Sequence, residues 1–154
     1  MESLDRNMEQ RVWKRVTARE EPNMPALQRE NLKGLILEAQ ENAAAYRGLA
    51  LQLIGKPWES LRRLENESMR QVYSLRGISA LKGEWVKLNP CPQQRDQPRR
   101  TLEKCFRRHQ RLWEEMDRRC SDPEFGMVFR KLRLQAEVQC AAAAELLGKL
   151  DCPA

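Results

Sequence analysis

The chain has 154 residues, of which 41% are hydrophobic and 32% are charged, and its net charge is +6. This length is most simply one domain with a core of its own. No apolar run approaches the roughly 20 residues that a membrane span needs, and the opening MESLDRNMEQ lacks the apolar centre of a secretory signal, so a cytoplasmic protein is predicted. Leu, Ala, Glu, Gln, Lys and Arg dominate over β-branched residues, which favours helices over strands.

The first residues are predicted to form a separate segment. Residues 1–24 contain MEQRVWKRVTA (8–18), which fits a short amphipathic helix with Val12, Trp13 and Val16 on one side. This helix is expected either to cap the fold or to dock on a partner subunit. The sequence REEPNMP breaks it, and the remaining residues, 25–154, are predicted to be one helical domain.

Two long helices come next, separated by a short turn. The first is predicted over 26–53 and the second over 58–86, because apolar residues recur in both at a spacing of three or four. Gly55-Lys-Pro57 is predicted to end one helix and begin the other. The residues of the two apolar stripes are Leu32, Leu35, Ile36, Ala39, Ala43, Tyr46, Ala50 and Leu53, then Leu61, Leu64, Leu75, Ile78 and Leu81.

A second pair of helices follows a proline-containing linker, NPCPQQRDQP (89–98), which has no periodic apolar pattern and is long enough to cross the length of a bundle. The third helix is predicted over 99–120, and a capping box with proline in its first turn, Ser121-Asp-Pro-Glu124, opens a fourth that runs to Gly148. The stripe residues here are Leu102, Cys105, Phe106, His109, Leu112, Trp113 and Met116, then Phe125, Val128, Leu132, Val138, Ala142, Leu146 and Leu147.

The predicted fold class is therefore all-α. Two helical hairpins, joined by a proline-containing crossover linker, bury their stripes against each other as a four-helix bundle, with a short N-terminal helix outside it. Each half has an aromatic residue in mid-helix, at Tyr46 or Trp113, and a glycine near its end, at Gly83 or Gly148. That is weak internal similarity.

Cysteines and basic residues leave binding hypotheses open. The five cysteines include no C-x-x-C pair, which indicates reduced, packed thiols rather than a disulfide framework. Residues 95–119 carry nine Lys or Arg against five Asp or Glu, without a glycine-rich RNA loop, an aromatic platform or a zinc finger. A solvated helix face is favoured over contact with nucleic acid.

Three stretches of the sequence resemble the ferritin-like superfamily, in particular small rubrerythrin-like proteins. They are ENAAAYRGLA, LENESMRQVYSLRGISALKGE and DPEFGMVFRKLRLQAEVQCAAAAELLG, which together cover most of residues 30–150. The resemblance implies a ferritin-like four-helix bundle. It also implies a di-metal centre, with a Glu seven residues before an aromatic on the first and third helices and Glu-x-x-His on the second and fourth.

Matched to that pattern, the chain keeps two carboxylates and loses the other ligands. Glu67 and Glu137 stand at the carboxylate positions, while Arg70 and Cys140 stand where the resemblance expects histidine. Ala39 and Phe106 stand at the remaining two positions. A permanent guanidinium cation at a metal position repels the metal, so Arg70 is expected to form an ion pair in its place.

A second interpretation keeps a metal. A small shift in the first helix brings Glu38 or Glu41 towards the site, and His109, four residues after Cys105, lies on the apolar stripe where Cys140 could face it. These residues form a conceivable non-standard site for iron, manganese or zinc. The simpler interpretation is a hydrogen-bonded core histidine among packed thiols.

Three functional hypotheses result. The first is a bundle whose di-metal site is largely lost, so that it needs no cofactor and serves as a non-catalytic binding or structural protein, with a homodimer formed through a helix face or the N-terminal segment. The second is a metal-binding oxidoreductase or a metal- or peroxide-stress protein. The third is a basic module that binds nucleic acid or a membrane surface through the third helix.

Overall fold

The computed structural model describes residues 24–92 and 96–151, and the side chains within those ranges from residue 32 onward. Four long helices account for most of this part of the chain, which contains no strand: α1 is Met24–Gln52, α2 is Ser60–Leu81, α3 is Pro98–Arg119 and α4 is Gly126–Asp151. The all-α prediction is confirmed. The predicted N-terminal helix lies outside the described residues.

The helices associate mainly in two pairs. α1 packs along α2, α3 packs along α4, and α1 also packs against α3. These pairings are consistent with a four-helix bundle made of two hairpins. Within the described ranges, none of the helices combines the length and the apolar character that a membrane span requires.

α2 ends five residues before the predicted end at Val86. The backbone N–H of Glu84 donates to the carbonyl of Ser79, and that of Gly83 donates to the carbonyl of Ala80, which is the Schellman pattern of a helix C-terminus. Gly83 has a φ of 92°, a value that only glycine adopts without strain. The prediction was too long because Trp85 and Val86 continue the apolar pattern of the helix past the residue at which the helical backbone ends.

The segment after α2 lies against the bundle. Val86 is only 2% exposed and belongs to the apolar core, and its carbonyl accepts a 2.8 Å hydrogen bond from Nε of Arg76. Further along, the carbonyl of Asn89 accepts a hydrogen bond from the Gln40 side chain on α1. These contacts fix the segment's course beside α1.

The turn between α3 and α4 is organised by Asp122 rather than by the predicted Ser121. One Asp122 carboxylate oxygen accepts hydrogen bonds from the backbone N–H groups of Glu124 and Phe125, both at 2.8 Å. This is the capping interaction that aspartate makes at a helix start. Lys82 holds the same carboxylate at 3.1 Å and so ties the end of α2 to this turn.

Two apolar clusters fill the bundle, one towards each end. The cluster at the end with the α3–α4 turn comprises Leu32, Leu35, Ile36, Ala39, Val72, Leu75, Ile78, Val86, Leu112, Met116, Phe125, Phe129, Leu132 and Ala136. The opposite cluster comprises Tyr46, Leu49, Leu61, Leu64, Leu102, Cys105 and Leu146. On every helix, a buried polar residue stands in sequence between the two clusters.

Candidate functional site

We call these mid-bundle residues the polar layer: Asn42 on α1, Ser68 and Gln71 on α2, His109 on α3 and Gln139 on α4. None of the five is more than 3% exposed. The helical period explains the arrangement, because each lies three or four residues from apolar core residues on its own helix. All four helices therefore point an uncharged polar side chain at the same level of the interior.

His109 uses both ring nitrogens within the bundle. Its Nε2 lies 2.7 Å from the hydroxyl of Tyr46, and its Nδ1 lies 3.4 Å from the side-chain nitrogen of Asn42. The rings of Tyr46 and His109 also stack, with centroids 5.8 Å apart. The simpler interpretation of the sequence was a core histidine hydrogen-bonded to a carboxylate or a carbonyl; His109 is buried and hydrogen-bonded, but its partners are a hydroxyl and an amide nitrogen.

The direction of these hydrogen bonds follows from Arg108, because a guanidinium can only donate. Arg108 donates to Oδ1 of Asn42 at 3.3 Å, so the Asn42 amide nitrogen must be the group that faces His109. That amide donates to Nδ1, which leaves the proton of the neutral imidazole on Nε2 and directs it at the Tyr46 oxygen.

The interior keeps His109 uncharged. Burial, reinforced by the positive charge of Arg108, lowers the pKa of His109 from 6.5 to about 4. Burial also raises the pKa of the Tyr46 hydroxyl well above its ordinary value. At neutral pH both side chains are therefore neutral hydrogen-bonding groups.

On the other side of the layer, two amides join α2 to α4. Nε2 of Gln71 donates to Oε1 of Gln139 at 2.6 Å. The second amide atom of each glutamine, and the hydroxyl of Ser68, are buried without a hydrogen-bond partner among the described residues. Unpaired buried polar atoms cost stability, so the layer is not built for maximal stability.

The thiols near the layer are unreactive in character. Burial raises the pKa of Cys105 to about 12, and burial together with the Glu137 charge raises that of Cys140 to about 11. Thiols with such pKa values are protonated at neutral pH and are poor nucleophiles and poor metal ligands. No disulfide joins the four cysteines in the described part of the chain.

The predicted ligands of the di-metal pattern do not form the layer. Glu67 is half-buried on α2, Glu137 and Arg70 are exposed, and Cys140 is half-buried on α4. The residues that face inward are one position away, at Ser68 and Gln71 on α2 and at Ala136 and Gln139 on α4. Arg70 therefore lies outside the interior where it was expected to replace the metals.

The carboxylates of the alternative metal site are bound to α3 arginines. Glu41 accepts from Arg108 at 3.1 Å and Glu38 pairs with Arg111 at 2.6 Å. In the described residues, no three His, Cys, Asp or Glu side chains form a group that could hold a metal ion. The chemistry of the layer agrees, since its donors are amides, a hydroxyl and an imidazole whose two nitrogens are used, and a di-metal centre needs several carboxylates. The residues present do not fit that centre.

Most basic residues of α3 are paired as well. Arg99 pairs with Glu103 and Asp151, Lys104 with Asp96, and Arg118 and Arg119 with Glu115. Arg108 and Arg111 bridge to α1 and so connect the two hairpins. The Arg-rich stretch thus has a structural use in the bundle.

One groove of about 680 Å³ lies on the outer side of α1, bounded by residues 89–92 and the start of α3. Its floor is made of small residues such as Ala44, Ala45 and Gly48. Its charged groups come as oppositely charged partners, Lys104 with Asp96 and Arg108 with Glu41. The charges of these two pairs balance, and the thiol of Cys91, whose pKa is raised by burial, also lines the groove.

Comparison with known proteins adds no identity. No family model, curated protein or solved structure matches the chain.

Of the polar layer, only His109 was predicted from the sequence; Asn42, Ser68, Gln71 and Gln139 were not. A signal for them was present, because continuing the spacing of Leu64 and Leu75 places residues 68 and 71 on the buried stripe of α2. Polar residues at positions where the period demands apolar ones mark a buried polar layer.

Proposed function

We propose that this chain is a ferritin-like bundle protein that has replaced its metal centre with the neutral polar layer and serves as a non-catalytic binding or structural protein. The observation that carries the proposal is His109, whose two nitrogens are both hydrogen-bonded within a layer that has no carboxylate. A metal ligand needs a free lone pair, and here the Asn42 amide uses it.

The topology supports the proposed ancestry. α2 ends beside the α3–α4 turn, through Lys82 and Asp122, whereas α3 begins beside the end of α4, through Arg99 and Asp151. A connection from α2 to α3 then crosses the length of the bundle, as the crossover linker of the prediction does. The layer lies at mid-height, where such bundles hold their metals.

The proposal can be tested by restoring the ligands in both candidate registers. The variant S68E/Q71H/A136E/Q139H puts two Glu-x-x-His pairs on the inward positions. Without metal it should be less stable than the unchanged chain by several kcal/mol, since buried carboxylates are costly. Added Co²⁺ should bind at about one or two ions per chain and raise the melting temperature.

The matched control is R70H/C140H, which completes the same two pairs around Glu67 and Glu137, one position out of register. Because all four of those positions are exposed or only half-buried, this variant should show no Co²⁺-dependent rise in melting temperature. Failure of the inward variant to bind Co²⁺, or stronger stabilisation of the control, would reject the proposed ancestry.

The other hypotheses have less support. An oxidoreductase would need its metal ligands to converge on one site. The candidate ligands differ in exposure, from the buried His109 to the exposed Glu41 and Glu137, with Glu67 and Cys140 half-buried. A nucleic-acid or membrane-surface module would need free charge on α3, where most basic groups are already paired. The homodimer of the first hypothesis stays a prediction.

A further inference from the structure

α4 carries an apolar stripe on its outer face. Met127 is 81% exposed, Leu134 58% and Val138 59%. Ala141 and Gly148 continue this face to the end of the helix and are exposed as well. Apart from Val128, which lies beside the stripe on α4, the other large exposed apolar side chains of the described residues are scattered over the end of α1, two loops and α2, so α4 has the single helix-long stripe among them.

Side-chain size and charge change along this stripe. Its first half carries the large Met127 and Leu134 together with the basic Lys131, and its second half carries small residues and the acidic Glu145. Lys131 makes no ion pair within the described residues, and Glu145 has only a solvent-exposed pair with Lys149 at 3.5 Å. A surface with opposite properties at its two ends is complementary to itself in antiparallel orientation.

The complementarity can be read residue by residue. A two-fold axis between residues 137 and 138 puts Met127 opposite the partner subunit's Gly148 and Leu134 opposite the partner subunit's Ala141. The same axis places Lys131 within one residue, about 1.5 Å of helix rise, of the level of the partner subunit's Glu145. Large side chains thus meet small ones, and a cation meets an anion, at both ends of one helix pair.

We propose that the outer face of α4 is a homodimer interface, occupied by α4 of a second copy of this chain in antiparallel orientation. This specifies the homodimer predicted from the sequence and does not depend on the metal content of the bundle, so the two proposals can fail separately. The acidic Glu137 lies near the axis in both copies, and the repulsion between the two carboxylates weakens the contact. Removing this charge is therefore expected to strengthen the dimer.

The test is sedimentation equilibrium of the full chain over a range up to about 100 μM, where a dissociation constant in the micromolar range gives mostly dimer. The unchanged chain should have the mass of a dimer. Leu134→Asp should raise the dissociation constant of the dimer by at least about tenfold, because it puts a charge at the centre of the apolar contact. Tyr73→Asp, at a position of equal 58% exposure on α2, should leave it unchanged.

Charge substitutions test the register independently of apolar contact. Lys131→Glu should weaken the dimer, the double variant K131E/E145K should restore it, and Glu137→Ala should strengthen it. A chain that stays monomeric over the whole concentration range would overturn the proposal. So would a dimer that Leu134→Asp does not weaken, because the interface would then lie elsewhere, for example at the N-terminal segment.

Discussion

His109 is the residue whose behaviour most directly reports the interior. Its pKa in the folded chain, about 4, lies below the value of 6.5 in the unfolded chain. Between those pH values the imidazole is therefore protonated in the unfolded chain and neutral in the folded chain. Stability should be intact above pH 6.5 and should fall by roughly 3 kcal/mol as the pH drops to 4. Denaturant unfolding at several pH values measures this, and His109→Phe should flatten the slope.

The attribution is clean because the chain contains one histidine. A slope that persists unchanged in the His109→Phe variant would show that other groups cause it. Nitrogen chemical shifts of the single imidazole should also report the Nε2-protonated form, which follows from the donor-only Arg108.

The glutamine pair predicts non-additive stabilities. Gln139→Leu alone should cost about 1–3 kcal/mol, because it leaves the Gln71 amide nitrogen buried and unpaired. The double variant Q71L/Q139L should be at least as stable as the unchanged chain, since it also removes two atoms that have no partner. Urea unfolding of the two single variants and the double variant measures the coupling. Additive losses would contradict the proposed pairing.

At the scale of the element, the start of α4 depends on Gly126. A Cβ atom at this position would lie 2.6 Å from the backbone carbonyl oxygen of Cys120, which has no flexible end that could move away. Gly126→Ala should therefore destabilise the fold by about 1–3 kcal/mol. Gly77→Ala is the matched control, because nothing lies near that exposed helical position, and it should stabilise by about 1 kcal/mol.

Helix ends were predictable where proline or glycine interrupts the helical pattern, and they were less predictable elsewhere. Proline and glycine place the starts and ends of α1 and α3 within two residues of their predicted positions. The end of α2 was missed because two apolar residues after Gly83 keep the helical period although the backbone has already turned. The backbone hydrogen bonds and the positive φ of Gly83 end α2 at this point. Val86 is buried in the core although it lies in the linker after the helix.

It was harder to predict which residues face the interior, because a shift of one residue along a helix changes which face of the helix a side chain lies on. Each residue rotates the helix by 100°, so a shift from Glu67 to Ser68 moves the site from the surface to the core. The Glu-x-x pattern favoured Glu67 and Glu137, whereas on α2 the spacing of Leu64 and Leu75 points to Ser68 and Gln71. On α4 the predicted apolar stripe was itself wrong at Val138, which is 59% exposed while the neighbouring Gln139 is buried.

At the scale of the whole molecule, two apolar cores are separated by a neutral layer whose residues do not fit a di-metal centre. The most direct test is the metal content of the purified, tag-free chain after expression in medium supplemented with iron, manganese and zinc, measured by mass spectrometry. We expect a folded protein with well below one metal ion per chain. A content of about two metal ions per chain would contradict it and would mean a di-metal protein with unusual ligands.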